Sequence, residues 1–334
     1  MFTTSSAPSA RAFLSHKQRN VLHSLILLLA NVLLAGVVGW AVAGREGVYW
    51  AVVLMAGLLF FMPRVGPRAL LRMHGGVALP PAQAPALHII LDLLCLQARI
   101  SPPMLYYVPT PHMNAFAVAG RGDDPPALAL TDGLLRALPL RELAAVMAHE
   151  LSHLRHNDMR VMAMADVAGR VTSSFSLMGQ LLLLLHLPWL LVEEHPVPWL
   201  LIAILLVAPM VSALLQLALS RSREFEADLE AARLCGDPLA LASALARMER
   251  TQHPMLSRVL FPGRQDPNPS LFRTHPDTGA RIARLTELAR SGAFTPLLDD
   301  AALQHALDAA GAAWPTTGMA RPARQTRKAW QLWR

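Results

Sequence analysis

His149 and His153 stand four residues apart with Glu150 directly after the first, in the run His149-Glu150-Leu151-Ser152-His153. On a helix, residues four apart lie on one face. Both imidazoles can therefore face a single zinc ion. Glu150 is placed beside them, where its carboxylate can take a proton from a metal-activated water. The chemistry this pattern points to is hydrolysis of a peptide bond. The same letters also fit a surface helix that merely carries two histidines, so the rest of the chain must supply what a zinc centre needs.

A catalytic zinc needs a third protein ligand and one open position. His156 follows His149 by seven residues, a rise of about 10.5 Å, too far for the same ion. The longer motif that ends in a third histidine fails as well. His156 stands where it requires glycine and Met159 where it requires histidine. His156 is expected to be a solvated helix residue. The other source is Ser220-Arg221-Ser222-Arg223-Glu224-Phe225-Glu226-Ala227-Asp228. Glu224 and Asp228 share a helix face, while Glu226 points elsewhere. One of the two carboxylates can bind metal while the other accepts a hydrogen bond from a ligand histidine and sets its tautomer. The spacing does not say which does which.

These residues need elements to hold them. The stretch Leu138 to Met164 is rich in helix formers with no proline after Pro139, and predicts a helix around the histidines. Met113 to Val118 and Ala127 to Thr131 are short apolar segments separated by a Gly/Asp/Pro turn, and predict a hairpin. An edge there can take an extended peptide as an added strand. The alternative is a hairpin that only covers the helix core.

The whole composition points to lipid. The chain has 334 residues, 53% hydrophobic and only 16% charged, where a soluble domain is nearer a quarter charged. His23 to Ala43 is long enough to cross about 30 Å of hydrocarbon, and Val48 to Met62 follows after a short link holding Arg45 and Glu46. Ala41-Val42-Ala43 fits a signal-peptide cleavage pattern, but the apolar stretch is longer than a signal core. Val171 to Val192 and Val197 to Ser220 form a second pair, joined by Glu193-Glu194-His195-Pro196. Lys and Arg flank the outer ends of both pairs, which puts both flanks on the cytoplasmic side. Buried core helices are the alternative for the second pair.

The net charge of +7 does not imply nucleic acid, because no basic stripe is interleaved with aromatic residues. Cys95 and Cys235 are isolated thiols, suited to a reducing compartment and to packing. Phe261 to Asn268 reads as a loop. The expected layout is a cytoplasmic segment over 1–20, a hairpin over 21–63 and a first catalytic part over 64–170. A second hairpin covers 171–220 and a second catalytic part 221–312. A basic, Trp-bearing tail over 313–334 is suited to anionic headgroups or to solvent. No feature sets an oligomeric state.

With Asn114-Ala115-Phe116-Ala117, Thr131-Asp132-Gly133-Leu134-Leu135, the His149 motif, the Ser220–Asp228 run, Thr274-His275-Pro276 and Arg281-Ile282 in this order, the chain resembles the family shared by the bacterial heat-shock membrane protease HtpX and the CAAX prenyl endopeptidases. The resemblance covers roughly Ala69 to Leu288. It implies a mainly α membrane protein with two transmembrane helical hairpins. It also implies a cytoplasmic zincin (gluzincin-like) α+β catalytic domain with a small β-hairpin or sheet. It implies Zn²⁺ on His149, His153 and Glu224, Asp228 supporting a ligand from behind, and Glu150 as general base. His275, which the resemblance brings near the site, is the candidate to stabilise the oxyanion, although Thr274-His275-Pro276-Asp277 also reads as a helix start. Arg221 and Arg223 are alternatives, more in keeping with a helix end or lipid headgroups. The expected substrates are membrane or misfolded polypeptides, cleaved internally at the bacterial inner membrane. A silent adaptor that keeps zinc only for stability is a second reading. An exopeptidase would need a site for a chain terminus, and none is visible. Two departures, the loop Arg121 to Pro126 and the basic tail, bear on substrate choice.

Overall fold

Apolar runs of twenty residues and more must satisfy every backbone group internally once they enter lipid, and helices do so. The computed structural model describes residues 10–61, 66–120, 122–192, 198–251, 278–292 and 294–296. In chain order the elements are α1 (Ala10–Phe61), α2 (Pro67–Met73), β1 (Val77–Ala78), α3 (Pro85–Ala98), β2 (Met104–Val108), β3 (Ala115–Val118), β4 (Ala127–Thr131), α4 (Asp132–Ala137), α5 (Leu140–His156), α6 (Asp158–Val192), α7 (Trp199–Cys235), α8 (Pro238–Thr251) and α9 (Thr278–Arg290). Two compact units emerge, Met1–Arg64 with Asn157–Glu226 and Val65–His156 with Ala227–Arg334.

The first unit holds α1, α6 and most of α7. By length and composition, Leu22–Phe60, Asp158–Pro188 and Trp199–Cys235 can each cross a membrane. The apolar run of α7 ends at Ser220. Helix α1 is broken at Ala43 and Gly44, with Gly44 at φ 59°, a conformation glycine adopts freely. The chain reverses there. A methyl on Gly39 would lie 2.6 Å from the carbonyl oxygen of Gly47, whereas residues eight apart on a straight helix are about 12 Å apart. Helix α1 thus doubles back on itself, and Arg45 and Glu46 open its second arm.

Polar groups inside this unit find partners. Ser212 donates to Asn31 Oδ1 at 2.8 Å. Pro209 interrupts α7 and cannot donate to the carbonyl four residues back. Gln180 Nε2 donates to that carbonyl, on Leu205, at 3.1 Å. Arg223 is buried and pairs with Asp158 at 3.1 Å and Glu226 at 2.9 Å. Its Nε also donates to Ser24 Oγ at 3.0 Å. Arg223 therefore does not reach for headgroups, because the unit supplies two carboxylates of its own.

The second unit packs α3, α5 and α8 over one face of a four-stranded sheet, in the order β1-β2-β4-β3, with Leu71 of α2 against the other face. The expected hairpin is β3 with β4, antiparallel, Ala115 opposite Leu130. Strand β2 runs parallel to β4 on its other side, a partner the periodicity did not announce. Strand β3 is left at the edge. The core joins Leu87, Leu91 and Leu94 of α3 to Leu143, Met147 and Leu151 of α5 and to Leu241 of α8. Cys95 and Cys235 are buried free thiols in the same core. Burial pushes the Cys95 thiol up to about 12, so it packs and does not react.

Helix α5 ends sooner than its helix formers predict. Asn157 turns left-handed at φ 55°, which asparagine tolerates better than most residues. A new helix then starts at Asp158. His156 is half-buried, with Nδ1 3.0 Å from the Ser152 carbonyl oxygen. It bends back onto its own helix and is not the solvated residue its position suggested.

Candidate metal centre

The centre is assembled from α5, the end of α7 and α9. Glu142, Leu143, Met147 and Leu151 lie on buried positions of α5, so the helix is held nearly all round. His149 and Glu150 are buried and His153 is half-buried. The two Nε2 atoms stand 3.2 Å apart, with the rings edge to face at 90°. Two nitrogens on one tetrahedral zinc, each about 2.0–2.1 Å from the ion, lie about 3.3 Å apart, so the spacing fits.

Helix α7 carries Glu224 and Asp228 one turn apart, well beyond Pro209, and both are buried. His149, His153 and Glu224 each offer a ligand atom, and the three atoms lie within 4.8 Å of one another. Two imidazoles and one carboxylate make a donor set suited to a catalytic zinc.

Asp228 Oδ1 lies 3.0 Å from His149 Nδ1. Arg281 of α9, also buried, donates through Nε to Asp228 Oδ2 at 2.7 Å and through Nη2 to Oδ1 at 2.6 Å. The same Nη2 is 3.4 Å from His149 Nε2. A guanidinium only donates and a carboxylate only accepts. These partners assign the His149 proton to Nδ1 and leave a lone pair on Nε2, the form a metal ligand needs. Burial works to raise the pKa of Asp228, but the hydrogen bonds from Arg281 and then His149 outweigh it and hold the carboxyl below its ordinary value.

Glu150 Oε2 accepts from the backbone N–H of Ala117 at 3.1 Å. That N–H points away from β4, because the Asn114 carbonyl three residues earlier faces β4 and accepts from Thr131 N at 3.1 Å. Ala115 and Ala117 thus present their main-chain groups to the open edge of β3. Thr131 fixes the joint: its hydroxyl donates to the Asn114 carbonyl at 2.8 Å and accepts from Leu134 N at 3.3 Å, capping α4. Gly133 abuts the backbone of Pro111 and His112, where a side chain would collide.

The structure brings His149, His153, Glu150, Glu224 and Asp228 together. Glu226 turns to Arg223, as the helix spacing predicted. His275 lies outside the described residues. Sequence reasoning placed Arg281-Ile282 among the motifs of the resemblance but gave Arg281 no role, since its spacing to the other site residues shows no partner.

The model of peptidase family M48 matches residues 81–289. A "Protease HtpX homolog" of Paraburkholderia phytofirmans is 34% identical over 297 residues, covering 82% of this chain and 99% of the relative. Proteins of the same description from Burkholderia mallei and Burkholderia thailandensis match at the same identity and coverage. The chain therefore belongs to peptidase family M48, as an HtpX-type membrane protease.

Proposed function

We propose that the chain is a zinc-dependent endopeptidase with His149, His153 and Glu224 as ligands and Glu150 as general base. The observation that carries this reading is the convergence of those three ligand groups beside a buried carboxylate held by an edge strand. When bound, zinc would polarise the scissile carbonyl and acidify the attacking water.

The protein's own residues do the rest. Glu150 takes the proton from the attacking water and hands it to the leaving amine nitrogen. Its bond to Ala117 N fixes the carboxylate against the strand. Asp228 holds His149 in its ligand tautomer, and Arg281 holds Asp228. The outward main-chain groups of Ala115 and the carbonyl of Ala117 can pair with an extended substrate backbone, which reads shape more than side chains and gives loose specificity. His275 is assigned to the oxyanion by resemblance.

The cellular setting belongs to the same proposal. Four crossings in two hairpins place both catalytic parts on the cytoplasmic side of a bacterial inner membrane. The chain then acts on membrane or misfolded polypeptides in quality control. The parts are those expected from sequence, 64–170 and 221–312, with the tail beyond 313.

The deciding experiment compares wild type with Glu150→Gln after purification in detergent. The variant should keep its zinc and cleave casein on the order of a thousandfold more slowly. Full activity in the variant would sink the assigned base. Zinc retention without turnover in the wild type would favour an adaptor. Mapping the cut sites separates internal from terminal cleavage.

A further inference from the structure

Between α6 and α7 the first unit carries a cleft of about 360 Å³ that the peptidase chemistry does not use. Its lining is mixed: Asp166, Arg170, Ser173 and Ser174 from α6 and Ser212 and Gln216 from α7 bring polar groups to it, beside Pro209 and Ala213. It lies where both helices change from charged to apolar sequence. Gly169 abuts the Gln216 side chain, and Gln216 stands four residues, about 6 Å, inside the end of the apolar run at Ser220. On α6 the apolar run begins at Val171. On the two-hairpin reading, the mouth of the cleft lies near the boundary between headgroups and hydrocarbon.

Arg170 Nε lies 2.8 Å from Asp166 Oδ2, and the pair is open to the outside, with side-chain exposures of 69% and 46%. Arg170 still has its two Nη groups to offer, and Asp166 its second oxygen. At the edge of hydrocarbon such groups are costly unless polar partners cover them. Ser212 is buried on the floor and accepts from Gln216 Nε2 at 3.3 Å, which keeps the back of the cleft polar. Leu177 and Met178 of α6 and Met210 of α7, on the hydrocarbon side of the cleft, are exposed, as is Leu214 beside it, an apolar track next to the cleft.

We propose that this cleft binds the headgroup of an aminophospholipid, with its acyl chains along that track. The phosphodiester sits on the Arg170 fork and the Ser173, Ser174 and Gln216 donors. The primary ammonium donates to Asp166. A free phosphate would bring no cation to the second oxygen of Asp166. A quaternary ammonium has no N–H for that carboxylate. An apolar helix would leave Arg170 and Asp166 uncovered. The inference uses the membrane assignment and not the hydrolytic mechanism, so it can fail while the protease reading stands.

The test uses the full chain, with its metal, in nanodiscs of equal phosphatidylethanolamine, phosphatidylglycerol and phosphatidylcholine. Extraction and native mass spectrometry then count the retained lipids. Wild type should retain phosphatidylethanolamine about fivefold over each of the others, the worth of one well-placed charge. Asp166→Asn should erase that preference and still hold phospholipid. Arg170→Gln should lose retention of all three. Both variants should keep wild-type zinc content and casein cleavage, which shows that they fold. Equal retention of the three lipids by wild type overturns the proposal. So does displacement of the lipid by inorganic phosphate, which marks a free-anion site. A photo-crosslinker at Ser174 that captures polypeptide and no lipid would mark a surface for substrate helices and overturn it too.

Discussion

His149 is gripped from two sides. Asp228 faces its Nδ1 at 3.0 Å, and Arg281 approaches its Nε2 at 3.4 Å while bonding both oxygens of Asp228. Removing the charge on Asp228 should loosen the ligand without deleting it. Asp228→Asn should weaken zinc binding by about 10–100-fold, measured by competition with a chromogenic chelator. Arg281 balances a buried carboxylate, and leaving that carboxylate uncompensated costs about 3–5 kcal/mol. The pH dependence follows in sign. Asp228 has a folded pKa below its unfolded value, so its stabilisation is complete above the unfolded carboxylate range near about 4. It is lost as pH falls through the folded value. Arg281→Met removes the strongest support for the ionised form, and should move acid unfolding of this unit to higher pH, read by circular dichroism.

The elements do the positioning that single residues cannot. Helix α5 must stop before the membrane helix begins, and Asn157 makes the break at φ 55°. Asn157→Gly should be near neutral, while Asn157→Ala should cost about 1–2 kcal/mol. Equal stability of the two variants in chemical unfolding would remove the argument for the left-handed turn. The four-stranded sheet was half legible. The hairpin of β3 and β4 showed itself through alternating apolar segments about a turn. The parallel pairing of β2 with β4 did not, because it joins segments about twenty residues apart with no local signature. That pairing makes β3 the edge and turns Ala117 N toward Glu150. The Asn114-Ala115-Phe116-Ala117 and Thr131-Asp132-Gly133 motifs, which carry no catalytic side chain, build this joint.

For the molecule as a whole, the apolar helices and the flanking charges bear on one question, which side each link faces. Alkaline phosphatase fused after Glu46 or after Glu194 should be active outside the cell, and green fluorescent protein fused after Arg334 should fluoresce inside. A fluorescent fusion after Glu194 would break the two-hairpin topology. The polar interior of the first unit explains how prolines persist there. The carbonyl freed by Pro209 is taken by Gln180, and Arg223 is satisfied by Asp158 and Glu226. An isolated arginine near a span reads as a lipid contact in sequence, and only packing reveals the carboxylates that meet it.

Sequence alone determined whatever depends on spacing along one helix or on one apolar run. The shared face of His149 and His153, the shared face of Glu224 and Asp228, and the long apolar helices all follow from a rise of about 1.5 Å and a turn of about 3.6 residues. Tertiary structure decided what depends on distance between segments far apart in the chain. It brought Arg281 to Asp228 across 53 residues and Ala117 to Glu150 across 33, and it folded His156 onto its own helix. No local propensity encodes those meetings. They arise because burying a common apolar core leaves each buried charge only a few places where a partner can reach it.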